Sequence, residues 1–140
     1  MKDKFFIDTN VLVYTFSSRD PVKKEKSLTI IKGALSNGNG CISYQVVQEF
    51  FNVALKKFTV PLSHLDCRKY FNSVLEPICE VYAGPRLFGK ALEISERWKL
   101  SFYDSLIVAA ALFADCEILY SEDLQHNQQI ETLKIVDPYR

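Results

Sequence analysis

"FFIDTNVLVY", residues 5–14, is the stretch whose reading decides the fold. An apolar run reaches one carboxylate, Asp8, then Thr9 and Asn10, and turns apolar again. Residues 4–7, KFFI, read as a short buried strand, although period alone does not separate so short a run from helix. NVLVYTF, which follows, reads as a short helix. The acid therefore falls at a junction of strand and helix. In open α/β sheets such junctions, beyond the carboxyl ends of the strands, are where functional groups collect.

The rest of the chain repeats the alternation. Pro21 suits the first turn of a helix that runs to about Ser36, and SNGNG at 36–40 is rich in helix-stop residues. CIS at 41–43 reads as a second strand, with Ser43 placed to cap a helix over about 44–58. That helix spaces Val46, Phe50, Val53 and Ala54 at helical period. A further helix covers about 63–75 and Pro77 closes it; ICEVY at 78–82 is a third strand. GPRLFGKALEISERWK gives another helix. FYDSLIVAAALFA, 102–114, is apolar nearly all round, so it reads as a buried helix. EILYS is a fourth strand and LKIVD, 133–137, a fifth. Strands alternating with helices indicate an α/β fold with a mostly parallel sheet and right-handed crossovers. No internal repeat, low-complexity tract or linker divides the chain, so residues 1–140 read as one domain.

Bulk composition agrees. The chain has 140 residues, 48% of them hydrophobic and 13% aromatic. That suits a packed core and argues against disorder. No apolar run reaches the ~18–20 residues that cross a bilayer, and Asp8 interrupts the only early apolar run, which argues against a signal peptide. The expectation is a cytoplasmic protein with no membrane attachment. Cysteines 41, 67, 79 and 116 show no CxxC spacing, and the histidines are His64 and His126. That excludes the usual zinc patterns and leaves the thiols as small buried groups. Formal net charge is zero, from 17 basic and 17 acidic residues. If several acids gather in one site, basic groups are in surplus elsewhere. Lys23, Lys24 and Lys26, Lys56 and Lys57, and Arg68 and Lys69 are the candidates to line a cleft, against the ordinary reading of solvated helix faces.

Four acids fall where a parallel sheet would bring them together. Asp8 follows the first strand and Asp123 the fourth. Glu49 lies on the helix after the second strand, roughly 9 Å beyond Ser43 along the axis at 1.5 Å per residue. Asp104 sits in the first turn of the buried helix. Each has an ordinary explanation: Asp8 as a helix cap, Asp104 in a capping box with Ser101, Asp123 in a turn, and Glu49 as an exposed helix charge. Together they are harder to dismiss. Two carboxylates ~4 Å apart repel by about 4 kcal/mol at an effective dielectric of 20, and a divalent cation removes that cost. All-oxygen ligands indicate Mg²⁺ or Mn²⁺, which suits metal-assisted phosphodiester hydrolysis.

FIDTNVLVY, SYQVVQEFFNV, LSFYDSLIVAAAL and ILYSEDLQH, in that order, resemble the acid-bearing segments of the PIN domain family. In particular they resemble the toxin nucleases of VapBC-type toxin–antitoxin modules, and the resemblance spans about residues 4 to 138. It implies a three-layer α/β/α sandwich with strand order 3-2-1-4-5 and Mg²⁺- or Mn²⁺-dependent endoribonuclease activity on RNA. Asp8, Glu49, Asp104 and Asp123 carry over as the acidic metal site, with Asn10 and Ser121 as polar neighbours. A cognate antitoxin and a homodimer are the implied partners, with Phe50, Phe51 and Phe58 as interface candidates and core packing the better reading for Phe50. Asn127 stands where relatives often carry Gly, and Tyr103 where an aromatic, often Trp, is familiar. Glu122 and His126 are secondary candidates.

Two other classes compete. One is a phosphatase with Asp8 as nucleophile; such enzymes usually show DxD after the first strand, and here the third residue is Asn10. The other is a non-catalytic binding module of the same fold, which the intact acid set disfavours.

Overall fold

The computed structural model describes residues 3–140. Six strands form one sheet in the order β3-β2-β1-β4-β6-β5. In chain order the strands are β1 (Phe5–Ile7), β2 (Gly40–Ser43), β3 (Cys79–Val81), β4 (Ile118–Tyr120), β5 (Gln129–Ile130) and β6 (Leu133–Val136). The helices are α1 (Thr9–Tyr14), α2 (Pro21–Asn37), α3 (Tyr44–Lys56), α4 (His64–Tyr70), α5 (Glu76–Ile78), α6 (Pro85–Trp98) and α7 (Phe102–Phe113). All pairings are parallel except β5 with β6.

Successive strand residues face opposite sides of a sheet. Phe6 and Ile7 are both fully buried, and so are all four residues of β2. Both faces of the sheet are therefore covered, which is the three-layer arrangement expected of a parallel sheet. The apolar helix α7 is buried from Ser105 to Ala111. Cys41, Cys67 and Cys116 are buried free thiols and Cys79 is half-buried. No helix among the described residues is long and apolar enough to cross a membrane.

The expected order 3-2-1-4-5 holds through the strand at 133–136, with one addition. β5 is a two-residue antiparallel strand outside β6, too short to carry an alternating pattern. Asn127, with φ 68°, adopts the left-handed backbone just before it, as its comparison with Gly suggested. Two local expectations are corrected. Pro77 does not end the helix before it. A π-helical turn at Phe71–Leu75 leads into α5, which runs through Pro77, and the Glu76 amide bonds back to the Phe71 carbonyl. A wide turn ahead of a proline accommodates its missing N–H. Ser43 occupies the cap position of α3 but makes no cap bond; its hydroxyl is buried without a partner.

The topology reverses at β1. The chain moves outward from β1 to β2 and β3, then returns to lay β4 on the other side of β1. The crevice at such a reversal, beyond the strand ends, is the usual place for a site in an open α/β sheet.

Candidate active site

β1 and β4 run in register, with Ile7 opposite Tyr120. The next residues are Asp8 and Ser121, and the Asp8 amide donates to the Tyr120 carbonyl at 3.1 Å. Ser121 is buried, and its hydroxyl donates to Asp8 Oδ2 at 2.7 Å. Asp8 Oδ1 accepts from the Thr9 amide at 2.8 Å and caps α1. The capping role and the site role therefore belong to one carboxylate. The Ser121 oxygen also accepts from the Asp123 amide at 3.2 Å, so one hydroxyl positions both strand-end acids.

Three helices supply the rest of the site. Asn10, on α1, donates through Nδ2 to Asp123 Oδ2 at 3.0 Å. Glu49, on α3, accepts from the Thr9 hydroxyl at 2.6 Å and from Gln45 Nε2 at 3.3 Å. Gln45 Nε2 also donates to the Tyr103 carbonyl at 3.2 Å, tying α3 to the start of α7. Asp104 stands in the first turn of α7, where its amide donates to the capping hydroxyl of Ser101 at 3.2 Å. Asp8, Glu49, Asp104 and Asp123 line one cleft of about 300 Å³, together with Thr9, Asn10, Gln45 and Lys57. Thr9 and Gln45 escape the sequence reading. Gln45 lies one turn before Glu49 on the same helix face, a spacing that permits contact.

The electrostatics are those of uncompensated anions. None of the four acids belongs to an ion pair among the described residues. Burial pushes the Asp8 carboxyl up to about 6, with Asp123 and Glu49 adding repulsion and the bonds from Ser121 and Thr9 opposing it. The Asp123 carboxyl is also raised, first by burial and then by Glu122, Asp104 and Glu49. Groups so perturbed in a cleft are functional-site candidates.

A hard dication fits this donor set. The ligating atoms offered are carboxylate oxygens, and Gln45 Oε1 is a buried acceptor with no protein partner. No three His, Cys, Asp or Glu side chains among the described residues are spaced to hold a metal ion by themselves, so a cation here would draw the rest of its ligands from water or substrate. An open set suits Mg²⁺, which keeps several waters and takes one or two carboxylates directly.

The PIN domain family model matches residues 5–129 of the chain. The chain belongs to the PIN domain family. This PIN domain shares its fold with a toxin–antitoxin complex from Klebsiella pneumoniae, at 18% identity and TM-score 0.70 over 97% of this chain and 98% of that one. FitAB bound to a DNA fragment matches at 13% identity and TM-score 0.71, over 97% and 96% of the two chains. The VapC20 toxin of Mycobacterium tuberculosis, which cleaves the sarcin-ricin loop, matches at 16% identity and TM-score 0.61, over 84% and 88%. No curated protein matches the chain by sequence.

Other sequence candidates sit elsewhere in this PIN domain. Glu122 turns away from the cleft: it pairs with Lys23 Nζ at 2.9 Å and accepts from the Tyr14 hydroxyl. His126 Nδ1 accepts from the Asp137 amide at 2.9 Å and holds the segment after β6. Of the proposed basic groups, Lys57 lines the acid cleft, whereas Lys23 is spent on Glu122. Phe50 is fully buried, and Phe51 and Phe58 pack half-buried against the core.

Proposed function

We propose that this PIN domain is a metal-dependent endoribonuclease, the toxin of a VapBC-type toxin–antitoxin module acting in the cytoplasm. One observation carries the reading: four carboxylates from four separate elements line a single cleft without a basic ion-pair partner. Membership of the family supports it, and so does the likeness in fold to toxins whose partners are antitoxins.

Asp8, Asp104 and Asp123 would hold Mg²⁺ or Mn²⁺, directly or through its waters. When bound, such a cation supplies neutralisation of phosphate charge and activation of water. The chain does the positioning. Ser121 fixes Asp8 through its hydroxyl and Asp123 through its backbone. Asn10 fixes the Asp123 carboxylate from the other side. Glu49 is oriented by Thr9 at Oε1 and more loosely by Gln45 at Oε2. Glu49 Oε2, held only by that longer bond, is the oxygen with capacity left to accept a proton of the attacking water. An RNA phosphodiester placed over the cleft meets these groups in fixed orientation, which is where positioning contributes most to rate.

The reading includes a homodimeric toxin and a protein antitoxin that covers an apolar groove and reaches the acids with a basic residue. Incubating purified protein with RNA in Mn²⁺, in Mg²⁺ and in EDTA tests the catalytic part. Cleavage with either cation, none in EDTA and none by Asp8→Asn is expected. Undiminished cleavage in EDTA overturns the metal-dependent mechanism.

A further inference from the structure

A second groove, of about 430 Å³, adjoins the acid cleft, and Lys57 lines both. Its walls come from the end of α1, the loop after it and the loop after α3. They present Phe16, Phe58, Tyr14, Arg19 and Lys57, and no acidic residue. Phe16 is 37% exposed, yet its ring is braced against Phe50 at 5.7 Å, Phe58 at 5.3 Å and Tyr70 at 5.2 Å. Tyr14 is braced too, edge-on to Tyr139. Both loops are pinned. The Ser17 hydroxyl accepts from the Arg19 and Asp20 amides, and the Leu62 amide donates to the Ala54 carbonyl at 3.0 Å. Arg19 and Lys57 form no ion pair with any described residue.

We propose that this groove is the subsite for the single-stranded nucleotides next to the scissile bond, with Arg19 and Lys57 on their phosphates and Phe16 under a base. The inference rests on the nuclease reading above and deepens it. Fixed aromatic faces joined to unpaired cations are the usual means of holding single strands without reading sequence. Charge separates the candidates for the groove. A strand whose reacting phosphate lies over the four acids and which continues into this groove carries its next phosphate past Lys57, where the sign is complementary. A protein segment that places a basic side chain over the acids would need acidic side chains beside it to match Arg19 and Lys57.

The test uses the Asp8→Asn protein in EDTA, so that binding is read without cleavage. The probe is a fluorescent, unstructured RNA of about ten nucleotides, followed by anisotropy across a salt series. Adding Arg19→Gln and Lys57→Gln should weaken binding about tenfold. It should also make the log–log salt dependence shallower by about 1.4, the change for two phosphates of a single strand that are no longer neutralised. Phe16→Leu, which keeps an apolar side chain in the aromatic cluster, should weaken binding several-fold with the salt slope unchanged; its thermal melt reports whether it folds. The exposed pair Lys32→Gln and Lys134→Gln should stay within twofold of the parent. Unchanged binding by the Arg19/Lys57 variant overturns the proposal and leaves the groove to a protein segment. Equal weakening by the control pair also overturns it, as diffuse surface charge. Cleavage by the wild-type protein in Mn²⁺ is scored separately. Loss of the groove effect with cleavage intact removes the subsite alone, and a groove effect without cleavage removes the nuclease reading alone.

Discussion

Asp8 is held in a position that is costly for an anion. Its carboxyl is raised from an ordinary 3.8 to about 6, chiefly by burial. The sign of the consequence follows from proton linkage. The folded state keeps a proton that the unfolded chain releases between about pH 4 and 6. The metal-free protein therefore loses this contribution to stability as pH rises through that window. A dication needs the charged carboxylate, so its stabilising effect should be small at pH 5 and full by pH 7.5. Thermal melts with and without Mn²⁺ at the two pH values check this. At pH 7.5 Asp8→Asn removes the buried charge, and the metal-free variant should melt higher by about 3 °C, or about 1 kcal/mol. A lower melting point would mean that the bonds from Thr9 and Ser121 outweigh the burial cost. Ser121→Ala deletes the hydroxyl that serves both strand-end acids. It should cost about 10–100-fold in metal affinity or cleavage rate, measured by Mn²⁺ titration and single-turnover kinetics. Asp8, Asp104 and Asp123 were legible because they fall at a strand end or in a first helical turn, and Glu49, about a turn and a half into α3, because that helix starts from the end of β2. Thr9 was not, since its partner Glu49 lies 40 residues away in sequence and no local pattern announces the pairing; Gln45 carried only the helical spacing to Glu49, and its tie to Tyr103 spans 58 residues.

The elements succeed or fail by how much apolar pattern each contains. β1, β2 and α7 are nearly continuous apolar runs, and burial on both faces is what such runs report. β5 has two residues and exists only because Leu133 and Lys134 return against it, so nothing local marks it. The π-helical turn before Pro77 is similarly invisible, because a proline ordinarily signals a stop. The fit of α2 on β2 gives a sharper test. A Cβ on Gly40 would lie 2.4 Å from Ala34 Cβ and 2.6 Å from the Phe5 ring. Gly40→Ala should therefore destabilise by about 2–3 kcal/mol, through overpacking at the central strands. Gly89, inside α6, has nothing within 4 Å of the same position. Gly89→Ala should stabilise by about 0.5–1 kcal/mol through helix propensity. Denaturant unfolding of the two variants decides. Equal effects would show that Ala34, Phe5 and Gly40 pack more loosely than these distances require.

At the scale of the molecule, the strand order does what no single element does. Returning to lay β4 beside β1 puts Asp8 and Ser121 side by side and leaves α3 and α7 to supply Glu49 and Asp104 from flanking positions. The alternation of strands and helices made the parallel sheet and its right-handed crossovers readable; the order of the strands came only with the resemblance to the PIN domain family. The groove beside the acids was less readable. Its wall joins two loops about forty residues apart in the chain, and the cation runs in the sequence resolve into unlike roles: Lys23 neutralises Glu122 while Lys57 faces the acid cleft. Zero net charge hides that division, with anions gathered in one cleft and free cations beside it. The account stands on the claim that the four carboxylates make one site for a hard dication. Calorimetric titration of Mn²⁺ into the wild-type protein at pH 7.5, and into Asp8→Asn combined with Asp104→Asn, tests it most directly. Saturable uptake by the wild type and its loss in the double variant is the expected result. No uptake by the wild type, or equal uptake by both proteins, would contradict it.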